Sequence, residues 1–284
     1  LRECPDAPIV LYKQGNVNLN KHRTLNIIGT RNCTQYGRDL IRAFIRELKS
    51  ICPDALVFSG LAYGIDICAH RESLANNMET VGVVAHGLDI VYPRMHTGTT
   101  KEMCEKGGGV ITEYTTNTQP VPKNFVQRNR IVAGCTDATL LVESANKGGG
   151  LITCNIARSY NREVFAFPGA IGAEYSEGCN QLIRDNGASL ITSAYDFVKA
   201  MNWDNDIKLE KAQQQGIERT LFPNLNSEEQ TVVEALQQQN DQQINMLSVR
   251  TNLSMARLMA LLFELEMKGI IRTMAGGCYH LLEV

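Results

Sequence analysis

The sequence predicts an α/β fold with a doubly wound, mostly parallel sheet, followed by a small winged-helix domain. Over about two hundred residues, short apolar runs alternate with segments of helical periodicity, which indicates right-handed βαβ units covered on both faces. After a polar stretch, about sixty residues contain three helical segments and a hairpin signal. We therefore expect domains at 1–203 and 225–284, joined by a linker at 204–224.

The elements of the first domain follow in chain order. Prolines in the opening segment predict an extended lead-in and an edge strand near Ile9–Tyr12. A helix after Gly37 is indicated by apolar residues at helical spacing from Leu40 to Leu48. The remaining apolar runs predict buried strands at Leu25–Ile28, Leu56–Phe58, Thr80–Ala85, Val110–Tyr114, Ala138–Val142, Val164–Phe167 and Ser189–Ile191.

Glycine-rich turns follow several of these strands. They occur at Gly29, Gly60, Gly87, Gly169 and 148–150. Because the carboxyl ends of parallel strands share one edge of a sheet, where ligands bind, these turns predict a binding site at that edge.

The most informative stretch is Phe125–Thr153, in which arginines flank Asn129 and a buried strand leads through a glycine-rich turn into a helix. Free N–H groups at such a helix start attract anions. Taken alone, the stretch also fits a tight βα turn with surface arginines.

The second domain is predicted in similar detail. Helices are expected at about Asn226–Gln239 and Ile244–Arg250, and Ser254 is expected to cap a third one. Gly276-Gly277 between two apolar runs predicts a β-hairpin.

Composition and charge limit the functional classes. The 284 residues are 44% hydrophobic and 20% charged with a net charge of −2, so no global basic field indicates a nucleic-acid partner. No apolar run is long enough to predict a membrane span. Nine scattered cysteines without metal-ligand spacing predict a reducing, cytoplasmic location and neither a metal nor a cofactor. The first residue, Leu1, leads us to expect that the chain is trimmed from a longer protein.

Taken together, the motifs resemble the DNA-processing protein A (DprA/Smf) family over about Ala7–Phe197. The tail is similar to the winged-helix domain that many members carry. The motifs that carry the resemblance are Gly29-Thr30-Arg31 with Tyr36-Gly37, Ser59–Ala62 with Gly64-Ile65-Asp66, Gly87-Leu88-Asp89 with Tyr92-Pro93, Arg128–Gly134, Gly149–Thr153, Val164–Gly169 and Gly178-Cys179-Asn180.

The resemblance implies an extended Rossmann-like domain that binds single-stranded DNA without sequence preference. It also implies that the protein loads the RecA recombinase in natural transformation and recombination, and that it forms a homodimer. A sequence-independent single-strand binder needs spaced cations for phosphates and aromatic faces for bases. We expect the DNA-binding residues to be Gly29, Arg31, Ser59, Gly60, Tyr92, Arg94, Arg128, Asn129, Arg130, Lys147 and Gly149, and the dimer interface to include Asn180, Ile183 and Leu190.

The sequence departs from the family pattern at two positions. Tyr63 stands where members often have a basic residue, which removes a charge and adds a ring. Gly149-Gly150-Leu151 stands where a Gly-Ser-Leu triplet is usual, which removes a hydroxyl. Both departures are expected to tune affinity rather than to alter the fold.

Two other functions compete with this interpretation. The fold resembles that of nucleotide phosphoribohydrolases, but the turn after Lys147 lacks the proline and glutamate of their motif. The acids Asp66, Asp89 and Glu143 are scattered, so we expect no catalytic residues and no enzyme activity. A winged-helix transcriptional regulator is the other alternative. The segment 221–284 carries four basic and seven acidic residues, whereas a DNA reader usually presents a basic face.

Overall fold

The computed structural model describes residues 1–2, 4–204, 207, 225–274 and 278–282. It divides into two compact units, and the division falls in the undescribed segment between residues 207 and 225. Most of the predicted linker, 204–224, therefore lies outside the described residues. Among the described residues, no helix has both the length and the apolar character needed to cross a bilayer.

The first unit is built on an eight-stranded sheet in the order β1-β5-β4-β3-β2-β6-β7-β8. All neighbouring strands are parallel except β1, which pairs antiparallel with β5. The strands are β1 (Tyr12–Gly15), β2 (Thr24–Ile28), β3 (Leu56–Ser59), β4 (Thr80–Val83), β5 (Gly109–Thr112), β6 (Ala138–Leu141), β7 (Glu163–Ala166) and β8 (Ser189–Leu190). This confirms the predicted mostly parallel α/β fold.

The strand order contains a topological switch point. From β2 the chain winds outward through β3, β4 and β5, and it then returns to place β6 on the other side of β2. The connections after β2 and β6 therefore diverge, which opens a crevice between them at the carboxyl edge.

Helices cover both faces of the sheet. The helices of this unit are α1 (Gln35–Ile51), α2 (Ile65–Ala75), α3 (Thr97–Glu105), α4 (Pro122–Gly134), α5 (Gly149–Ser159), α6 (Glu174–Arg184) and α7 (Ala194–Ala200). Helix α1 shows why they form: Thr34 caps its first turn by accepting from the Gly37 N–H, and its apolar stripe is buried.

The two largest apolar cores of this unit lie on opposite faces of the sheet, and a smaller cluster packs α2 and α3. One core packs α1, α2 and α7 against the strands, and Phe197 contacts Phe165 and Trp203 edge-on within it, with ring centroids 5.1 and 5.2 Å away. The other packs α4, α5 and α6 against the opposite face. The residues of the central strands β2 to β6 are buried, whereas the edge strands β1 and β8 are largely exposed.

The edge strand is displaced from its predicted position. It spans Tyr12–Gly15 rather than Ile9–Tyr12, and Ile9 is fully exposed. The register is set by the pairing of Tyr12 with Thr112 and of Gly15 with Gly109. Ile9 and Val10 lack a partner strand, so their β-propensity has no sheet to join.

The second unit has the winged-helix arrangement that the sequence predicts. Helices α8 (Ser227–Gln238), α9 (Ile244–Thr251) and α10 (Met255–Met267) are followed by β10 (Ile271–Met274) and β11 (Cys278–Leu281), with a short β9 (Gln242–Gln243) completing a three-stranded sheet. Asn226 and Glu229 form a capping box at the start of α8, and Ser254 caps α10. The predicted hairpin turn at Gly276-Gly277 lies outside the described residues.

Candidate nucleic-acid interface

A groove of about 280 Å³ lies at the switch point, where β2 and β6 end. It is bounded by the β2–α1 loop, the β3–α2 loop, one face of α4 and the start of α5. Of the predicted DNA-binding residues it brings together Gly29, Arg31, Gly60, Arg128, Asn129 and Gly149.

The β2–α1 loop is held rigidly against its neighbours. The Thr30 N–H donates to the Glu143 carbonyl at 2.8 Å, and the Thr30 carbonyl accepts from the Ile65 N–H at 3.1 Å. Gly64 has a φ of +75°, and a Cβ there would lie 2.2 Å from the Thr30 carbonyl oxygen. Only glycine fits this approach, so the two loops form one fixed wall.

This wall presents Arg31 to solvent. The side chain is exposed, and its guanidinium carbon lies 5.7 Å from the centre of the Phe125 ring. A cation at this distance is attracted to the ring face. The stacking directs Arg31 across the groove mouth, where its N–H groups remain available for a phosphate.

An aromatic pair extends the groove beyond Arg31. The Tyr92 ring lies 5.8 Å from the Phe125 ring at an interplanar angle of 50°. Tyr92 is 45% exposed, so part of its face is open to a stacking partner. Arg94 follows two residues later on an exposed helical turn, outside the groove lining.

The groove floor is built around Gly60. A Cβ on this residue would lie 2.6 Å from Asp66 Oδ2 and 2.8 Å from both terminal nitrogens of Arg128. Arg128 is only 4% exposed and donates to the carbonyls of Gly60 and Val83. The predicted DNA-binding role of Arg128 stays a prediction: the residue lines the groove, and its side chain organises the floor from beneath.

Burial and mutual attraction determine the charges of the floor. Burial lowers the pKa of Arg128 to about 10, so the guanidinium stays charged at neutral pH. Burial raises the pKa of Asp66, while the charge of Arg128 opposes that rise. Ser59 is fully buried and donates to the Ile27 carbonyl at 2.6 Å, so it supports the floor and is not a surface contact.

The start of α5 forms the opposite side of the groove. Gly148 is its N-cap and has no side chain to accept a hydrogen bond, and the Leu151 N–H donates to the Gly148 carbonyl at 3.1 Å. The N–H groups that open a helix have no carbonyl one turn earlier to accept from them, so those of Gly149 and Gly150 can face a ligand. The partial positive charge of the helix dipole adds to them. Gly149 is exposed, and nothing lies within 4 Å of a Cβ built on it, which leaves space for an anion.

Two more of the predicted cations, besides Arg94, lie outside the groove lining. Arg130 is mostly buried and forms two ion pairs, with Glu113 at 2.6 Å and with Asp6 at 3.8 Å. The predicted DNA contact of Arg130 stays a prediction, and the ion pair means that Glu113 competes with a phosphate for this guanidinium. Lys147 is exposed beside the start of α5, adjacent to groove residue Gly148.

The residues predicted for a dimer interface lie at the other end of the sheet. Ile183 of α6 and Leu190 of β8 line one surface hollow, and Leu190 is 51% exposed. Asn180 instead exchanges two hydrogen bonds with the backbone of Gly169 at 3.0 Å. Its amide is therefore engaged within its own chain.

A second hollow of about 450 Å³ differs in chemistry from the groove. It is lined by Tyr36 and Tyr175 together with two carboxylates, Glu143 and Glu174, and no basic side chain lines it. Glu143 is buried and accepts from the Thr34 N–H at 2.9 Å. A polyanion fits the groove better than this hollow.

Several groove residues were not among the predicted contacts. Thr30 and Ala62 stand in the two fixed loops, Asp66 in the floor, and Ile152 and Thr153 in the first turn of α5. Their positions directly beside predicted residues were the available signal. Their place in the groove depends on the directions of α2 and α5, which the sequence does not give.

Both units of the chain match models of known protein families. The family model described as DNA recombination-mediator protein A matches residues 1–202, and the model of the DprA winged helix domain matches residues 219–277. Both matches coincide with the order of the two units along the chain.

Three relatives illustrate the similarity. DNA processing protein DprA of Streptococcus pneumoniae is 37% identical over 201 residues, covering 70% of this chain and 68% of the relative. A putative DNA processing protein DprA of Mycobacterium tuberculosis is 32% identical over 271 residues, covering 95% of this chain and 68% of the relative. A solved structure of DNA processing protein A from Helicobacter pylori, described by its single-stranded DNA binding mode, has a TM-score of 0.63 at 28% identity and covers 71% of this chain and 91% of that one.

Proposed function

Because this chain belongs to the DNA recombination-mediator protein A family, we propose that its switch-point groove binds single-stranded DNA without regard to sequence. The observation that carries the proposal is the convergence of an exposed arginine, an aromatic pair and an open helix start on one groove. These groups recognise phosphate and base faces, which every nucleotide has. The relative from Helicobacter pylori, whose description concerns single-stranded DNA binding, supports the same chemistry.

The roles of the groove residues follow from their exposure. Arg31 and the α5 N–H groups contact successive phosphates, while Arg128 supplies a fixed positive charge from below. The Phe125 and Tyr92 rings stack on bases. Duplex DNA hides its base faces within the stack, so it gains only the phosphate contacts and binds more weakly.

Fluorescence anisotropy with labelled oligo-dT, compared with duplex of equal length, tests this proposal. Arg31→Ala should weaken single-strand binding by about 1–3 kcal/mol, the range for charge-assisted hydrogen bonds. The slope of log affinity against log salt should also become shallower by about 0.7, the loss of one phosphate contact. Arg94→Ala should behave similarly if the strand continues past Tyr92.

Arg46→Ala is the matched control, because Arg46 is an exposed arginine eleven residues beyond the start of α1 and far along that helix from the groove. It should bind oligo-dT like the wild-type protein. Unchanged binding by Arg31→Ala and Arg94→Ala together would show that the groove is not the DNA site.

We further propose that the protein loads the RecA recombinase onto the strand that it holds, in natural transformation and recombination. The family description as a recombination mediator supports this role. RecA-dependent ATP hydrolysis on DNA precoated with a single-strand-binding protein measures it. Addition of the chain should raise the rate, and Arg31→Ala should raise it less.

We also propose a homodimer formed through α6 and β8 at the end of the sheet. The short edge strand and the exposed side chain of Leu190 support it, since an unpaired edge favours isologous pairing. All nine cysteines are free thiols, which suits the reducing cytoplasm that the sequence predicts.

A further inference from the structure

Helix α10 of the winged-helix unit carries an apolar ridge on its solvent face. Met255, Met259, Phe263 and Met267 are 44%, 59%, 65% and 74% exposed. Their spacing of four residues aligns them in one row, about 18 Å long at 1.5 Å per residue. We call this row the α10 ridge.

The opposite face of the same helix is also apolar. Leu258, Leu261, Leu262 and Leu265 are buried in the core of the unit. A surface helix normally pairs one apolar stripe with a polar solvent face, whereas α10 has apolar side chains on both. Exposed apolar residues of this size, arranged contiguously, mark an interaction surface.

The ridge is bordered by a row of small residues. Ala256 and Ala260 are exposed and follow the ridge one position later along the helix. A second helix can pack on a ridge that lies beside such a shallow channel. The side chains of the second helix enter the channel, and the ridge enters the grooves between those side chains. Methionine side chains are flexible, so the ridge can adapt to its partner.

Charge identifies the chemistry of that partner. Arg257 of α10 and Lys268, which follows the helix directly, are both paired within the unit: Arg257 donates to Glu228 at 2.6 Å, and Lys268 donates to Glu229 at 2.6 Å. Glu264 and Glu266 are both exposed beside the ridge, and Glu266 also accepts from the Thr273 N–H at 2.9 Å and from the Thr273 hydroxyl at 3.0 Å. Nucleic acid would meet carboxylates at this surface, and a second copy would bring the same excess of acidic residues against it.

We propose that the α10 ridge, with the Ala256–Ala260 channel, is the docking surface for an amphipathic helix of a partner protein whose polar face is basic. The apolar face of that helix packs on the ridge. Its lysines or arginines pair with the carboxylates at the border. The mode is that of a helix laid on a hydrophobic surface, with anchors three and four residues apart.

Methyl NMR of the full chain labelled at methionine tests this inference, because three of the nine methionines lie in the ridge. The probe is a synthetic leucine–lysine peptide with leucines at helical spacing, compared with a leucine–glutamate peptide of the same pattern. We expect the lysine peptide to shift the Met255, Met259 and Met267 signals in the micromolar range. Met95, which is 68% exposed in the first unit, should not shift.

Phe263→Ala supplies the matching variant, because the Phe263 side chain is largely exposed and its removal leaves the core intact. It should weaken lysine-peptide binding at least tenfold, whereas Met95→Ala should leave it unchanged. Equal binding of both peptides, binding by neither, or an equal shift at Met95 would overturn the proposal. Ridge signals that shift on concentrating the protein alone, together with a rising sedimentation coefficient, would identify a second copy as the occupant and also overturn it.

Discussion

Gly60 is the residue on which the groove floor depends most closely. Gly60→Ala would place a methyl group against Asp66 and Arg128, two buried charged side chains that cannot move without losing partners. We expect a loss of about 1–3 kcal/mol in the free energy of unfolding, the usual range for overpacking. Denaturant unfolding followed by Trp203 fluorescence measures it, because the only tryptophan is buried in the first unit.

Gly149→Ala is the control for this prediction. It lines the same groove, but nothing lies within 4 Å of a Cβ at that position. The midpoint of denaturant unfolding of Gly149→Ala should match that of the wild-type protein. Equal destabilisation by both substitutions would mean that the loss does not come from contact with the buried charges, because replacing glycine by alanine lowers the entropy of the unfolded chain and by itself favours folding.

His70 gives the first unit a predictable response to acid. The side chain is fully buried, and burial lowers its pKa to about 3. In the unfolded chain this histidine has an ordinary pKa of about 6.5, so below that pH it binds a proton that the buried side chain of the folded protein does not bind. Stability should therefore fall as the pH drops below about 6.5, by up to about 1.4 kcal/mol per pH unit for this proton. Burial also lowers the pKa of His96, which adds to the same slope.

His70→Gln tests this assignment through the slope and not through the absolute stability. Unfolding free energies at pH 7.0, 6.0 and 5.0, again from Trp203 fluorescence, should depend less steeply on pH than in the wild-type protein. His22→Gln removes an exposed histidine of the same unit and should retain the steeper slope. An unchanged slope in His70→Gln would assign the acid response to other groups.

The arginines show where sequence reasoning about the site reaches its limit. The pattern of Arg128 and Arg130 around Asn129 predicted their importance but not their orientation. Two residues on a helix point about 200° apart, so one enters the groove floor and the other meets Glu113. Which of them faces the crevice depends on the rotation of α4 against the sheet, and that is set by tertiary packing. The exposure of Arg31 does not depend on the rotation of a helix, because the residue lies in a loop that is fixed against Gly64.

At the level of elements, the parallel strands were predictable because each is a short apolar run, and several of them end in a glycine turn. The register of β1 was not, because its pairing with β5 depends on backbone contacts a hundred residues apart. The helices of the second unit were predicted almost to the residue, since Asn226 and Ser254 are local capping signals. Helix caps can be predicted from neighbouring residues, whereas strand register depends on residues far apart in the sequence.

The edge strand β8 carries the prediction about assembly. Leu190 is half-exposed on this strand and lines a hollow with Ile183. Light scattering at tens of micromolar should show a dimer for the wild-type protein. Leu190→Lys should give a monomer. In a two-fold symmetric interface the lysine of each protomer would be desolvated and would repel the lysine of the other protomer. Ile183→Lys should do the same.

Val249→Lys is a matched control, since Val249 is an exposed apolar residue of the second unit. It should remain dimeric. A wild-type protein that is monomeric at these concentrations would contradict the proposed interface, as would a dimer that survives both charged substitutions.

For the whole molecule, the division into a sheet unit and a winged-helix unit predicts which part holds DNA. The groove lies entirely within the first unit, so a fragment of this unit should keep most of its affinity for oligo-dT. The domain boundary that the sequence predicts, after residue 203, would place the cut directly behind Trp203. The structure moves that cut to residue 207, because Trp203 is buried against Phe197 and Ile207 packs on the same core.

Charge sets the direction of the effect. The removed segment, 208–284, carries seven basic and nine acidic residues, so the cut removes net repulsion for a polyanion. Affinity of the 1–207 fragment should stay within about threefold of the full chain or improve, a change below 1 kcal/mol. Anisotropy measures it, with circular dichroism and Trp203 fluorescence confirming that the fragment is folded. A tenfold or greater loss in a folded fragment would show that the winged helix contacts DNA directly. That result would also count against a protein helix as the partner of the α10 ridge.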